Sequence, residues 1–280
     1  MSVKVDPLRI YMGDPYPISD DITIYQPSLH DIMEYGESQF YTMLYIFIGN
    51  TTYRKLFLWD NGIDWNKLSD YELFCSMAKM LSLDATKILF GDTLDFSTFD
   101  MYSREDPDPE PEPQPEPGKK KVHAIVKNKW NHRLFERTTT FYSEQLGIEI
   151  DAPTYHKIAE VLRHMVKIFP KTEYCAGKET KDLLISEERE KLKKAEREKT
   201  GDESTLLPLI SFCCNHPGFK YKRAELGDVK INEFMDSVQR LQIYESTRAL
   251  LAGSMSGFCD TSKIPKSQFD FMRQITNNKS

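Results

Sequence analysis

The sequence predicts an α+β fold that is mainly helical, with two small domains joined by a Pro/Glu-rich polyproline II linker. Three observations predict it. Apolar residues recur at helical spacing in most segments, short alternating runs sit between them, and one stretch obeys neither period. That stretch, Asp106–Pro117, reads DPDPEPEPQPEP, with proline at every second position. Proline fixes φ, lacks an N–H and pushes the preceding residue out of the α region, so a strict X-Pro repeat enters neither a helix nor a central strand. At about 3.1 Å per residue it spans on the order of 35–40 Å. The predicted organisation is therefore residues 1–105 as an N-terminal α+β domain, 106–121 as an acidic linker with a basic end, and 122–280 as a mainly α-helical C-terminal domain.

Composition bounds the class. Apolar residues are 40% of the chain and charged residues 29%, which suits a soluble globular protein. The longest apolar run, Phe40–Ile48, falls far short of the roughly 20 residues that cross a bilayer, and MSVKVDPLRIYMGD has no apolar signal-peptide region. Five cysteines without framework spacing fit reduced thiols in a cytoplasm. The net charge of −6 conceals an asymmetry: −8 over residues 1–105, −5 over 106–117 and +7 over 118–280.

In the first part, Ile22–Tyr25 alternates after turn residues and reads as a strand, with Leu8–Met12 as its partner. Ser28 with Asp31 opens a helix that Gly36 interrupts, and Phe40, Met43, Leu44, Phe47 and Ile48 mark one face of the next. Trp59–Trp65 is a turn around Asn61-Gly62. Its acidic residues do not make a calcium loop, because the glycine falls at the third position from Asp60 rather than the sixth. Ser69 with Glu72 starts another helix, with Leu73, Phe74, Met77 and Leu81 facing inward. Ile88–Phe96 reads as a hairpin around Gly91-Asp92.

Beyond the linker, Lys119–Lys121, Lys127, Lys129, Arg133 and Arg137 interleave with Trp130 and Phe135. Such a run suits a nucleic-acid groove, yet no recognition motif accompanies it, and neutralising the adjacent carboxylates explains the same cations. Ile148–Ile150 reads as a strand. Asp151-Ala152-Pro153 then starts a helix bearing Tyr155, Ile158, Leu162, Met165 and Phe169, which Pro170 ends. His156 and His164 stand eight apart, too far to share a metal by themselves. Lys178–Lys199 alternates charges and reads as a helix in solvent, stopped by Thr200-Gly201-Asp202. Leu206–Cys214 is the most apolar stretch of this half and reads as its buried centre. Cys213 and His216 have C-x-x-H spacing with no second ligand pair for zinc, and an apolar run disfavours a reactive thiolate. Asp228 caps a long helix whose stripe is Ile231, Phe234, Met235, Val238 and Leu241, ended by Gly253 and Gly257. Phe269–Ile275 forms a last amphipathic turn. No nucleotide loop, metal cluster or triad is present in the sequence, so neither a cofactor nor catalysis is expected.

Three segments taken together, ITIYQPSLHDIMEYGESQFY with LWDNGIDWNKLSDYELF, STLLPLISFCCNHPGFKY, and INEFMDSVQRLQIYESTRALLAGSMSGFCDTSKIP, resemble proteins of long-tailed, siphovirus-type bacteriophages grouped with tail assembly chaperones. The resemblance implies a non-enzymatic role in the host bacterial cytoplasm, with the tape measure protein and the major tail protein of the tail tube as partners. It also implies absence from the finished virion. A long form sharing its N-terminal domain with a frameshifted short form fits the expected domain–spacer–domain layout, with Gly118-Lys119-Lys120-Lys121 as a candidate slippery site. The apolar residues expected to hold a partner helix are Leu184 and Leu192 in the charged segment and Phe234, Met235, Val238 and Leu241 on the long helix, with core packing as the rival role for the latter four. The alternative functions are a structural virion component, such as a tail-completion or baseplate protein, and a nucleic-acid-binding phage protein.

Overall fold

The computed structural model describes residues 5–175, 177–198, 204–256 and 262–275. The chain opens with a short helix, α1 (Pro7–Tyr11), where a strand was expected. Asp6 explains it: its carboxylate accepts from the N–H groups of Leu8 and Arg9, and proline occupies the first turn. The short β1 (Tyr16–Pro17) pairs antiparallel with β2 (Thr23–Ile24) instead. Ser28 and Asp31 exchange both bonds of a capping box to start α2 (Leu29–Tyr35), and Gly36, at φ 97°, separates it from α3 (Glu37–Ile48). After α4 (Lys55–Asp60) the chain turns at Asn61-Gly62, where the Trp59 and Trp65 rings meet edge to face at 5.6 Å. Ser69 caps α5 (Asp70–Ala78) by accepting from Glu72 N–H.

The expected hairpin at Ile88–Phe96 is not formed. Those residues end the helix α6 (Leu83–Phe90), which Gly91 stops at φ 66°, and they continue as two short 3-10 turns. Thr86, Leu89 and Phe90 face inward together at helical spacing, and the Thr86 hydroxyl donates to Leu94 O at 2.8 Å. β3 (Asp100–Ser103) follows. Next come the proline-rich strap, α7 (Lys120–Thr138), β4 (Thr139–Ser143) and β5 (Ile148–Ile150). The sheet order is β3-β4-β5, antiparallel throughout, with Phe141 opposite both Met101 and Ile150.

Asp151 caps α8 (Ala152–Val166) by accepting from Thr154 N–H. This helix ends before the expected Pro170, because Lys167 takes the left-handed conformation at φ 57°. Then follow α9 (Lys178–Glu198), α10 (Leu206–Asn215) and α11 (Ile231–Ser256). Asp228 does not cap α11 but closes a 3-10 turn, and the helix begins beyond Lys230, whose carbonyl accepts from Phe234 N–H. Gly253 lies within α11, and the expected stops at Thr200-Gly201-Asp202 and Gly257 fall outside the described residues. Phe269–Ile275, expected as an amphipathic turn, turns at Phe271-Met272. It follows a 3-10 turn at Lys266–Phe269 and lies along α11, with Phe271 against Tyr244 at 5.5 Å and Arg273 donating to the Thr247 hydroxyl at 2.7 Å.

Helix accounts for 58% of the described residues and strand for 7%, so the fold is mainly helical with small sheets. The proline-rich stretch, however, does not separate two cores. Phe47, Phe90 and Phe96 from before it and Phe141, Tyr155 and Phe234 from after it belong to one cluster of buried side chains. Phe74 sits where they meet. Its ring lies 5.6 Å from Phe47, 6.2 Å from Phe96, 5.8 Å from Phe141 and 4.6 Å, stacked, from Tyr155. The Tyr71 hydroxyl donates to Ile150 O at 2.6 Å within the same interior. The β3–β4 pairing and the α3–α8 contact likewise join residues from before and after the expected linker at 106–121.

The stretch is a strap rather than a spacer. It leaves β3 and returns as α7, whose cations meet its carboxylates. Arg137 grips Asp106 with two bonds of 3.0 Å and reaches Glu110 at 3.3 Å, Arg133 pairs with the same Glu110, and Lys127 pairs with Glu112. The two-pronged geometry of Arg137 matches a carboxylate better than a lysine would.

Candidate partner-binding surface

The most apolar segment of the C-terminal half lies on the surface. Glu37, in the first turn of α3, accepts from Thr205 N–H at 2.7 Å and Leu206 N–H at 2.8 Å, and pairs with the Ser204 hydroxyl. The Glu37 carboxylate thereby takes two of the free donors at the start of α10, the Ser204 hydroxyl accepts a third from Leu207 N–H at 2.9 Å, and together they hold that helix beside α2. Only Leu206 and Cys213, two turns apart, are buried on α10. Leu209 and Ile210 are half-buried and pack against the core on the same side, while Leu207 (63% exposed) and Phe212 (41%) turn outward, so the expected buried centre is corrected to a surface helix with one inward stripe.

Facing it, α2 buries Leu29 and Ile32 but leaves Met33 67% exposed. Between the two helices runs a groove of about 460 Å³ whose walls include Leu29, Ile32, Met33, Leu206, Leu207 and Ile210. Glu37 and Ser204 stand at one end of α2; His30, Arg223, Leu226 and Gly227 stand at the other. Exposed apolar side chains that line a concavity, rather than being scattered singly, are what distinguishes an interaction surface.

The structure redistributes the residues expected to hold a partner. Phe234, Val238 and Leu241 are buried in the main core and Met235 packs against it, so they take the core role rather than the contact role. Leu184 packs against a smaller cluster of Leu58, Trp65, Leu73 and Ile185. Leu192 remains 48% exposed. The first half of α9 is not in solvent as expected. Lys181, buried, donates to Asp64 at 2.5 Å, and Arg189 pairs with Asp60. Lys55, also buried, reaches Glu173 at 2.9 Å and Glu188 at 3.6 Å. These ion pairs dock the helix on α4 through charges whose partners lie over a hundred residues away, a pairing that local charge patterning does not reveal.

A second concavity, of about 610 Å³, lies between α5, α7 and α8, and has a mixed polar and apolar lining. Asp70, Lys129, His132, Glu136 and His156 are among its lining residues. Burial pushes the His132 imidazole below its ordinary pKa, and its Nε2 has no partner among the described residues. His156 is engaged with Glu136 at 3.1 Å, Asp70 accepts from Thr51 N–H, and the Ser69 hydroxyl accepts from Glu72 N–H. Among the described residues no group of three or more His, Cys, Asp or Glu side chains is placed to hold a metal ion.

Cys213 and His216 do not form a working pair. Cys213 lies in the core, where burial pushes its thiol up to about 11, while His216 is engaged with Glu245 at 3.1 Å and accepts from Gly218 N–H. Cys259 falls outside the described residues. No helix among the described residues is long and apolar enough to cross a membrane. In comparisons with known proteins, no family model, curated protein or solved structure matches this chain.

Proposed function

We propose that this protein is a non-enzymatic binding protein of phage tail assembly, acting as a chaperone in the host bacterial cytoplasm, with the tape measure protein and the tail-tube subunits as its partners. The observation that carries a binding role is the solvent-open apolar groove between α2 and α10, edged by Met33 and Leu207. A groove of this kind suits an amphipathic helix laid along it, since such a helix presents apolar side chains at i, i+3, i+4 and i+7. The assignment to tail assembly rests on the resemblance carried by the segments at Ile22–Tyr41, Ser204–Tyr221 and Ile231–Pro265. The groove draws Leu29–Met33 from the first of these and Leu206, Leu207 and Ile210 from the second.

The structural-virion alternative shares the surface and differs in fate. The nucleic-acid alternative loses its main support, because Lys119, Lys127, Arg133 and Arg137 are ion-paired with strap carboxylates. The deciding experiment is a tagged pull-down from infected cells with mass spectrometry, run beside a blot of purified particles. Recovery of tape measure and tail-tube proteins with no signal in particles supports the chaperone role. Strong signal in particles makes this a structural component, and recovery of nucleic acid or host proteins alone removes the assignment.

A further inference from the structure

The two ends of the α2–α10 groove carry different charge, and that difference selects an orientation. At the Glu37 end the carboxylate accepts from the opening N–H groups of α10. At the opposite end Arg223 is exposed and has no ion pair among the described residues. It lies on the loop after α10, next in sequence to the exposed Lys222, whose side chain is likewise without an ion pair among the described residues. His30, at the same end, is engaged with Glu34 at 3.2 Å. Glu225 on the same loop accepts from Lys222 N–H at 2.8 Å, so the groove has an apolar floor and one end at which the Arg223 guanidinium makes no ion pair among the described residues.

We infer that the groove takes an amphipathic helix of another protein, laid with its C-terminal end and a carboxylate against Arg223. A helix carries partial negative charge at its C-terminus, so this direction places that end beside the cation and its positive N-terminus toward the Glu37 end. An acidic side chain in the helix's last turn adds a direct ion pair. This inference rests on the proposed reading of the groove as a partner surface and names the chemistry of that partner.

The test uses the full-length protein and three dye-labelled 15-residue peptides with one apolar stripe and otherwise polar, neutral residues. The first carries two glutamates in its last turn, the second two lysines there, and the third two glutamates in its first turn. Anisotropy titrations at low salt should rank the first tightest, by roughly 3- to 30-fold over the second, as expected for exchanging exposed attraction for repulsion. The gap should narrow as salt is added. Arg223→Glu should reverse the ranking of the first two, and Leu207→Asp should abolish binding of all three. Both positions are exposed, so circular dichroism should show the fold intact. Equal affinity for the first two peptides overturns the inference, as does binding that ignores Leu207→Asp. Self-association of the free protein that Leu207→Asp abolishes would place a second copy in the groove and also overturn it. Charge-insensitive peptides together with a pull-down that still depends on Leu207 would sink the orientation alone. A pull-down indifferent to Leu207 would sink the groove itself.

Discussion

Removing the Phe74 ring tests whether both sides of the strap fold as one unit. Phe74 is 1% exposed and meets Phe47 and Phe96 on one side of the strap and Phe141 and Tyr155 on the other. Phe74→Ala deletes a fully buried ring and leaves a cavity among four aromatic neighbours, a change that costs about 3–5 kcal/mol. Domain stabilities are about 5–15 kcal/mol, so the loss is a large fraction of the total. At about 2–4 °C per kcal/mol, the midpoint should fall by on the order of 6–20 °C. Calorimetry and urea titration, followed by both tryptophan fluorescence and far-ultraviolet dichroism, should show one transition displaced as a whole. Trp59 and Trp65 report on the first part and Trp130 on the segment after the strap. Two transitions, with only the earlier part displaced, would refute the single-core reasoning and restore the division into two domains.

The strap should behave as an electrostatic latch: amide order parameters at Asp108, Glu110 and Glu112 should be high at low salt and fall with added salt or in Arg137→Ala, whereas an indifferent strap would contradict the ion-pair account. Hydrogen bonds from Arg137 to Asp106 and from Lys127 to Glu112 lower both carboxyl pKa values from ordinary values of 3.8 and 4.5. Their contribution is therefore complete above those values and lost as pH falls below them, so a carboxyl titration by NMR should keep the latch closed at pH 5 and open it in stronger acid. Cysteine labelling at pH 8 followed by peptide mapping should modify exposed Cys214 first and leave Cys75 and Cys213 slow, since burial pushes their thiols up to about 12 and about 11. Rapid labelling of Cys75 in the folded protein would contradict its burial.

Local chemistry was readable where one or two neighbouring residues decide the outcome. Ser28, Ser69 and Asp151 cap helices as their positions imply, and Gly36 divides α2 from α3. Short apolar runs misled. Ile88–Phe96 has no period long enough to separate strand from helix, and α6 extends it backwards into Leu83–Lys87. Hydrophobicity likewise measured composition rather than position in Leu206–Cys214, because nothing in that run records that α10 touches the core along a single narrow stripe. The strap shows the same limit from the other side. Its proline repeat excluded helix and central strand correctly, but whether it spans two domains or folds back depends on cations on α7, which the sequence offers equally to nucleic acid. The groove was half legible. Its α10 wall stands out as an apolar run but reads as a buried centre, and its α2 wall is missed because Met33 reads as one exposed residue on a short helix.

The most direct test of the binding account is photo-crosslinking during infection, with a photoreactive phenylalanine analogue placed at Leu207 in one strain and at exposed Lys191 on α9 in another. The account predicts that Leu207 captures one tail protein through a helical segment, that the adduct is lost in an Arg223→Glu background, and that Lys191 captures nothing comparable. Capture of the same protein from Lys191 but not from Leu207 would contradict it and move the partner surface to α9.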